Sequence, residues 1–345
     1  MANPASKAPK QRVSGVILID KPQGLTSQQV VSKVKYLFKS PLHDSKKAGH
    51  TGTLDPMATG LLPVCLGEAT KFSHYQLDAD KAYEAIIKLG ERTDTGDAEG
   101  QIVETQAVPT IDETAIQQTI PQFMGAQTQV PPMYSALKKD GKKLYEYARE
   151  GIEIERPARP ITIRHLQLAL VAPDRLQLQV TCTKGTYVRV LGEDIAQALG
   201  TVGHLTSLRR TQVGHFVTAN SISLADLEAL SLAQRFEHLL AVDACVTGLA
   251  TLQITSEQCE RVQVGQRLNV REQFTPELVS YLEAAPVLAA TVVEGEAMDN
   301  QAPVDTDEDG VPTRDIRLID EEGVFVGLGT LSINGRLQPK KILAR

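Results

Sequence analysis

The chain has 345 residues, of which 42% are hydrophobic, and a formal net charge of −6. This length allows one large core or two smaller ones, so we expect two domains. No apolar run approaches the ~18 residues that a membrane helix needs, and the cysteines lack the C-x-x-C spacing typical of zinc sites. We therefore expect a cytoplasmic protein with reduced thiols, no membrane association and no bound metal.

The negative charge is concentrated in one segment. Residues 294–309 contain seven Asp or Glu residues and no Lys or Arg, so the rest of the chain is close to neutral. Residues 131–164 carry eight basic and five acidic residues. Such a run most often forms a solvated charged surface, but a basic arm that contacts phosphates is the alternative. The overall charge therefore does not exclude a protein that binds nucleic acid.

The first elements follow in chain order. Residues 1–12 are small, basic and proline-containing, which predicts a disordered tail. Residues 13–38 predict a strand, a KPQG turn and a helix. The helix should open at Thr26, because Gln29 lies at the position that completes a capping box.

The spacing of apolar residues changes along the later segments. Strand-like stretches lie around residues 83–89 and 176–182, and the second alternates strictly between apolar and polar residues. A helical period follows from Val188, so KGTYVR at residues 184–189 is predicted at a strand-to-helix junction. From about residue 247 the helical signal fades and short strand-like runs predict a small β-rich domain.

The most informative stretch is GHTGTLDPMATG at residues 49–60. Its glycines and prolines predict a loop whose backbone can approach a ligand closely. Asp55 lies in the middle, before a proline that holds its backbone extended. An Asx turn is the commonest role of an isolated Asp-Pro pair. The histidine and threonines around Asp55, in an otherwise apolar neighbourhood, favour a functional carboxylate.

Other known site patterns fit less well. The glycine-rich stretch lacks the lysine of a phosphate-binding loop. A glycosidase would need a second carboxylate, and the sequence gives no distance from Asp55 to Asp94 or Asp97. DTDEDG at residues 305–310 begins like a calcium loop, but the twelfth position is Ile316 instead of Glu, which favours a plain acidic loop.

Six segments, in the family's order, resemble the TruB family of tRNA pseudouridine synthases. They are IDKPQGLTS, GHTGTLDPMATGLLPVCLGEATK, KAYEAIIKLGERTDTGDAEG, PPMYSALKKDGKKLYEYAREG, KGTYVRVL and LRRTQVG. The resemblance implies an α/β (α+β) fold, with a mixed or antiparallel sheet and flanking helices in a catalytic domain at residues 13–246. It also implies a PUA-like C-terminal domain at residues 247–345, which in this chain carries an acidic insertion at about residues 271–315.

The resemblance implies a tRNA pseudouridine-55 synthase, which flips a T-loop uridine, cleaves its glycosidic bond and rejoins C1′ to C5. No cofactor or metal is implied, because nothing is oxidised and no group enters or leaves. Asp55 would be the catalytic carboxylate, with Arg189 as the cation beside it and Tyr83 stacked on the target base. Without the resemblance, Arg189 would suggest a surface ion pair and Tyr83 a half-buried strand tyrosine.

The resemblance also implies substrate-binding residues on several segments. These are His50, Tyr187, Lys21, Lys71, Leu208, Lys142 and Lys143. His50 would insert where the flipped nucleotide leaves its stack. A thumb at about residues 131–158, rich in lysine and tyrosine, would close over the T-arm. Lys21 and Lys71 would support loops.

Two other function classes remain open at this point. A non-catalytic tRNA-binding or RNA-folding protein could use the same pocket, although the complete set of Asp55, Tyr83 and Arg189 favours an enzyme. A glycosidase for small nucleosides would need neither a thumb nor a second domain. The expected partner is the T-arm stem-loop of tRNA, and the expected state is a monomer.

Overall fold

A computed structural model of the chain describes residues 10–284 and 305–344. Contacts between residues divide the chain into two compact units. Among the described residues, the first unit comprises residues 10–13, 17–66 and 73–239, and the second comprises residues 14–16, 67–72, 240–284 and 305–344. In the described part of the chain, no helix combines the length and apolarity required to span a bilayer.

The first unit contains most of the regular structure. Strands up to residue 223 are β1 (Gln11–Arg12), β2 (Gly15–Lys21), β3 (His43–Asp44), β4 (Ala48–His50), β5 (Thr59–Leu66), β6 (Lys81–Leu89), β7 (Glu91–Thr93), β8 (Ile102–Thr105), β9 (Gly125–Gln129), β10 (Lys138–Lys139), β11 (Lys142–Lys143), β12 (Arg159–Ala172), β13 (Arg175–Cys182), β14 (Gly203–Val213), β15 (Phe216–Val217) and β16 (Ile222–Ser223). Helices up to residue 239 are α1 (Ser27–Leu37), α2 (Ser73–Leu77), α3 (Glu113–Phe123), α4 (Leu144–Arg149), α5 (Val188–Ala198), α6 (Leu224–Ala229) and α7 (Leu232–Glu237).

One mixed sheet forms the centre of this unit. Its strand order is β16-β2-β5-β14-β6-β13-β12-β9, with β4 beside β5 and β15 beside β14. The pairs β16–β2 and β5–β14 are parallel, whereas β14–β6, β6–β13, β13–β12 and β12–β9 are antiparallel. The mixed sheet with flanking helices confirms the predicted fold class.

Several local predictions are also confirmed. The Thr26 hydroxyl accepts from the Gln29 N–H at 3.2 Å, and the Gln29 side-chain oxygen accepts from the Thr26 N–H at 2.8 Å, which completes the capping box of α1. In β13, alternate side chains are buried, as the alternating sequence predicts. Helix α5 begins at Val188 after an N-cap at Tyr187, so KGTYVR lies at the predicted junction.

Two segments differ from the sequence-based expectation. Gln11 and Arg12, which fall in the predicted disordered tail, form β1 and pair with β3, while residues 1–9 lie outside the described residues. The loop predicted at residues 49–60 covers only residues 51–58, because β4 ends at His50 and β5 begins at Thr59 and runs through Pro63. In the pairs that β5 forms with β14 and with β4, the paired residues lie on either side of Pro63, which has no N–H to donate.

The second unit is rich in strands, as predicted. Its elements are β17 (Thr251–Gln253), β18 (Leu268–Asn269), β19 (Thr313–Ile319), β20 (Phe325–Ser332), β21 (Arg336–Ile342), α8 (Ser256–Gln263) and α9 (Pro276–Glu283). The strands form one sheet in the order β17-β19-β20-β21-β18. A core that includes Leu252, Val262, Ile316 and Leu318 lies against this sheet.

The predicted acidic insertion is only partly described. Its first residues form a short 3-10 turn and α9, and residues 285–304 lie outside the described residues. In the acidic loop that follows, one Asp307 carboxylate oxygen accepts from the N–H groups of Asp309 and Val311, at 3.0 and 2.9 Å. The other oxygen accepts from the Asn334 side chain at 2.9 Å. Asp307 therefore stabilises the turn itself.

Candidate active site

A cavity of about 330 Å³ opens in the first unit. Its walls come from the loop between β4 and β5, from β6, from residues 135–137, from the β13–α5 junction and from β14. A cavity of this size can hold a small ligand group. The lining includes five residues predicted from the sequence, namely Asp55, Tyr83, Tyr187, Arg189 and Leu208.

Asp55 and Arg189 form an ion pair at the cavity wall. The Asp55 Oδ2 atom lies 3.1 Å from the Arg189 Nε atom. The Asp55 side chain is 40% exposed, whereas the Arg189 side chain is only 5% exposed. The guanidinium therefore orients the carboxylate from behind, and the carboxylate remains accessible to a ligand in the cavity.

The loop that carries Asp55 is fixed on both sides. On the N-terminal side, the Ser27 hydroxyl accepts from the Leu54 N–H at 2.8 Å and donates to the Leu54 carbonyl at 3.0 Å. On the C-terminal side, the fully buried Lys21 donates to the Ala58 carbonyl at 2.6 Å and to the Pro56 carbonyl at 3.3 Å. Burial lowers the Lys21 pKa to about 8, although the negative charge of Asp55 raises it in part. Lys21 contacts the loop and does not line the cavity, and the loop-supporting role that the resemblance implies for it stays a prediction.

Arg189 is itself held by a network. Its guanidinium donates to the Tyr134 carbonyl at 2.7 Å and to the Thr95 carbonyl. Its Nη1 atom also lies 3.6 Å from the Asp97 carboxylate, which is buried. Asp55 and Asp97 therefore contact different nitrogens of one guanidinium. The sequence singled out Asp97 only as a possible glycosidase carboxylate and could not show that it shares Arg189 with Asp55.

Tyr83 lies opposite a buried cation that the sequence analysis missed. In the β6–β14 register, Tyr83 pairs with Arg210, which is 1% exposed. The Arg210 guanidinium donates to the carbonyls of Leu61 at 2.8 Å, Gly52 at 3.0 Å and Thr53 at 3.3 Å. Burial raises the Tyr83 pKa, and the neighbouring guanidinium opposes this rise. The segment LRRTQVG, which contains Arg210 as its second arginine, contributes to the family resemblance. It does not show which groups the Arg210 side chain contacts.

Lys81 is a second cavity residue that the sequence analysis missed. It is 7% exposed and lines the cavity, where its ammonium donates to the Leu77 carbonyl at 2.9 Å and to the Gln76 carbonyl at 3.3 Å. Burial lowers its pKa to about 8. The only available signal was its position two residues before Tyr83 in the KAYEA segment.

Two further predicted residues, like Lys21, lie outside the cavity lining. The His50 Nδ1 atom accepts from the Gly52 N–H at 3.3 Å, and burial lowers the His50 pKa. Lys71 belongs to the second unit, where its ammonium lies 2.6 Å from a Glu68 carboxylate oxygen and donates to the Ile342 carbonyl at 2.8 Å. Among the residues that the structure describes, neither His50 nor Lys71 lines the cavity.

Lys142 and Lys143 lie on the arm at residues 131–158. They form β11, which pairs with β10 in an antiparallel hairpin of four lysines. The Lys142 ammonium lies 4.6 Å from the centre of the Tyr147 ring, and the Lys143 ammonium lies 5.3 Å from that of Tyr145. The cavity wall includes residues 135–137 of this arm but neither lysine.

Two family models match this chain. Residues 39–188 match the N-terminal domain of the TruB family pseudouridylate synthases, and residues 189–250 match the tRNA pseudouridylate synthase B C-terminal domain. Over 341 residues, the chain is 62% identical to the tRNA pseudouridine synthase B of Psychrobacter cryohalolentis. This alignment covers 97% of this chain and 95% of that protein.

The chain belongs to the TruB family. It is also 45% identical over 332 residues to the tRNA pseudouridine synthase B of Aromatoleum aromaticum, with 96% of this chain and 93% of that protein covered. The TruB family assignment predicted from the sequence is thus confirmed.

Solved structures show the same fold at lower identity. A chain in a Cbf5-Nop10-Gar1 complex has a TM-score of 0.62 and 22% identity, covering 96% of this chain and 84% of that chain. A chain in an H/ACA RNP bound to a substrate RNA containing 2′-deoxyuridine has a TM-score of 0.63 and 22% identity, covering 96% and 85%. At this level of identity, the similarity concerns the fold alone.

Proposed function

We propose that this chain, a tRNA pseudouridine synthase by family, isomerises a uridine in the T-arm of tRNA with Asp55 as its catalytic carboxylate. The observation that carries the proposal is the accessible Asp55 carboxylate held by the buried Arg189 guanidinium at the wall of a cavity. The printed names of the relatives support tRNA as the substrate class.

The reaction needs no external reactant. The bond between N1 of uracil and C1′ of the ribose breaks, the base rotates, and a bond forms between C5 and C1′. The C5 proton leaves and N1 gains a proton, so substrate and product have the same composition. Asp55 could attack the sugar, add to the base or remove a sugar proton, and each route uses an ionised carboxylate. We propose that the reaction proceeds without metal or cofactor.

The target nucleotide must leave its helix to reach Asp55, because the reacting atoms are inaccessible inside stacked RNA. We propose that Tyr83 stacks on the flipped base and that Tyr187 and Leu208 complete the wall around it. All three line the cavity. His50 would occupy the vacated stack from its position beside the loop.

The arm at residues 131–158 is the proposed thumb. Its hairpin places Lys142 and Lys143 on an edge strand beside tyrosine rings. Such mixtures of cations and rings hold RNA loops by phosphate contacts and stacking. We propose that these lysines bind phosphates of the T-arm. Lys71 contacts Glu68 and Ile342 instead, so it is left out of the proposed site.

The proposal is tested by tritium release from C5-labelled uridine in a T-arm stem-loop transcript, with excess EDTA present. Wild-type protein should release tritium, and Asp55→Asn should bind the RNA without releasing any. Asp94→Asn is the matched control, because Asp94 lies on the surface and outside the cavity lining. It should retain wild-type activity.

Each other outcome has a distinct meaning. Release by Asp55→Asn would contradict the catalytic role of Asp55, and strong inhibition by EDTA would contradict the metal-free reaction. Binding of the transcript by wild-type protein without tritium release would favour a non-catalytic RNA-binding or RNA-folding function.

A further inference from the structure

Arg210 is a buried cation that the proposed reaction does not use directly. It is 1% exposed, and among the described residues no Asp or Glu pairs with it. Burial lowers the Arg210 pKa, because removal from water disfavours the charged form of the guanidinium. A buried charge without an ionic partner is unfavourable unless hydrogen bonds compensate it. Its hydrogen bonds therefore indicate what the residue does.

Two of these bonds go to the loop around Asp55, and a third goes to β5, the strand that follows the loop. Two accepting carbonyls, those of Gly52 and Thr53, lie shortly before Asp55, and the third, that of Leu61, lies after it. The guanidinium therefore joins both sides of the loop. Because a guanidinium is planar and its donors have fixed directions, these contacts define the loop's position more narrowly than a lysine could.

Two glycines make this arrangement possible. A Cβ atom at Gly60 would lie 2.2 Å from the Arg210 carbonyl oxygen, and a Cβ at Gly52 would lie 3.4 Å from the Arg210 Nη1 atom. Gly60 also pairs with Arg210 in the parallel β5–β14 register. The absence of a side chain at Gly60 lets β5 lie directly against the Arg210 backbone, whereas Gly52, with a φ of +142°, adopts a backbone conformation that residues with side chains rarely have.

The same guanidinium also interacts with Tyr83. The two residues pair across β6 and β14, so their side chains lie on the same face of the sheet, and each affects the pKa of the other. Because a guanidinium has only donors, the phenolic oxygen is the atom that can accept from it. The hydroxyl proton of Tyr83 then remains available for a ligand in the cavity.

We infer that Arg210 is a positioning residue that fixes the Asp55 loop and the Tyr83 hydroxyl relative to each other. Arg210 also lines the cavity but is almost fully buried, and it acts on the substrate through these two groups. The inference rests on the proposed function and adds to it, because it explains how a group on a loop and a group on β6 act on one nucleotide.

A double-mutant cycle tests this inference. Arg210→Met and Arg210→Lys are made in the wild-type and Tyr83→Phe backgrounds, and the single-turnover rate and the RNA dissociation constant are measured. Arg210→Met should slow turnover by about 100-fold, since small misplacements of reacting groups have effects of this size. RNA affinity should change much less than the rate, and Arg210→Lys should recover part of the loss because it retains a cation.

Coupling to Tyr83 is the decisive result. In the Tyr83→Phe background, either substitution of Arg210 should slow turnover by a smaller factor than in wild type, because the part of the effect that acts through the Tyr83 hydroxyl is already lost and the part that acts through the Asp55 loop remains. Equal factors in both backgrounds, or a loss of RNA affinity as large as the loss of rate, would overturn the inference. If Arg210→Met does not fold by circular dichroism, the Arg210→Lys cycle is judged by the same criterion.

Two controls separate this test from the proposed function. Arg209→Lys, on the same strand, should keep wild-type turnover, because Arg209 forms a half-exposed ion pair with Asp20. Absence of tritium release by the wild-type protein would count against the proposed function, whereas additive effects in an active protein count only against the role of Arg210.

Discussion

Replacing Gly60 by alanine should destabilise the first unit strongly, because its backbone lies against that of Arg210. Gly60 has a φ of +99°, and its added Cβ atom would lie 2.2 Å from the Arg210 carbonyl oxygen and 2.9 Å from the Arg210 nitrogen. The positive φ alone costs an L-residue about 1–2 kcal/mol. The clash is with backbone and not with a flexible side chain, so overpacking should add about 1–3 kcal/mol. We expect a total loss of about 2–5 kcal/mol.

Gly125→Ala is the matched control. Gly125 has a φ of +82°, but nothing lies within 4 Å of a Cβ atom added there. This substitution should cost only the backbone strain, about 1–2 kcal/mol. Urea unfolding followed by far-UV circular dichroism measures both losses, which suits a chain without tryptophan. Gly60→Ala should also slow turnover more than Gly125→Ala, because it displaces the strand that follows the Asp55 loop.

Equal losses of stability in the two variants would refute this reasoning. They would mean that the close approach of β5 to β14 relaxes easily and that Gly60 is present only for its φ angle. The inference that Arg210 fixes the position of the Asp55 loop would then be weaker as well.

Three further predictions concern the site, its surroundings and the thumb. Asp97→Asn should slow single-turnover isomerisation by about 10- to 100-fold with RNA affinity nearly unchanged, because it loosens the network that orients Arg189; a wild-type rate would contradict this. Burial raises the Glu193 pKa to about 7, so the folded state retains a proton between about pH 4.5 and 7 that the unfolded state has lost, and stability falls with rising pH in that window. The difference in free energy of unfolding between Glu193→Gln and wild type, measured in urea, should therefore shift in favour of the variant from pH 5 to pH 8. A difference that stays constant over this range would exclude the effect. Charge reversal of Lys142 and Lys143 should weaken RNA binding and reduce the slope of log K against log salt by about 2, since each phosphate contact contributes about 0.9. Arg175→Glu is the control, because Arg175 is an exposed residue at the start of β13 and outside the arm. An unchanged slope in the lysine variant, or an equal change in Arg175→Glu, would remove the hairpin from the RNA contacts.

Local features of the fold could be predicted from the sequence. The capping box of α1 depends on residues three positions apart, and the alternation in β13 is visible in eight consecutive residues. The KGTYVR junction could be placed because the period changes there from two to 3.6. The family resemblance then identified Asp55, Tyr83 and Arg189, which the structure brings to one cavity.

The supporting contacts could not be predicted in this way. Arg210 donates to the Gly52 carbonyl across 158 positions of sequence, and Arg189 donates to the Thr95 carbonyl across 94. No local pattern encodes which backbone carbonyl a buried cation will meet. The acidic segment poses a different limit, since its composition indicates an exposed acidic stretch but not what it contacts.

The central claim is that Asp55 converts a T-arm uridine of tRNA to pseudouridine, and mapping pseudouridine in a full-length tRNA transcript tests it most directly. After incubation with wild-type protein, modification should appear at one T-loop uridine and nowhere else. After incubation with Asp55→Asn at a concentration that saturates binding, the transcript should remain unmodified. Modification by Asp55→Asn, or a wild-type product outside the T-arm, would contradict the account.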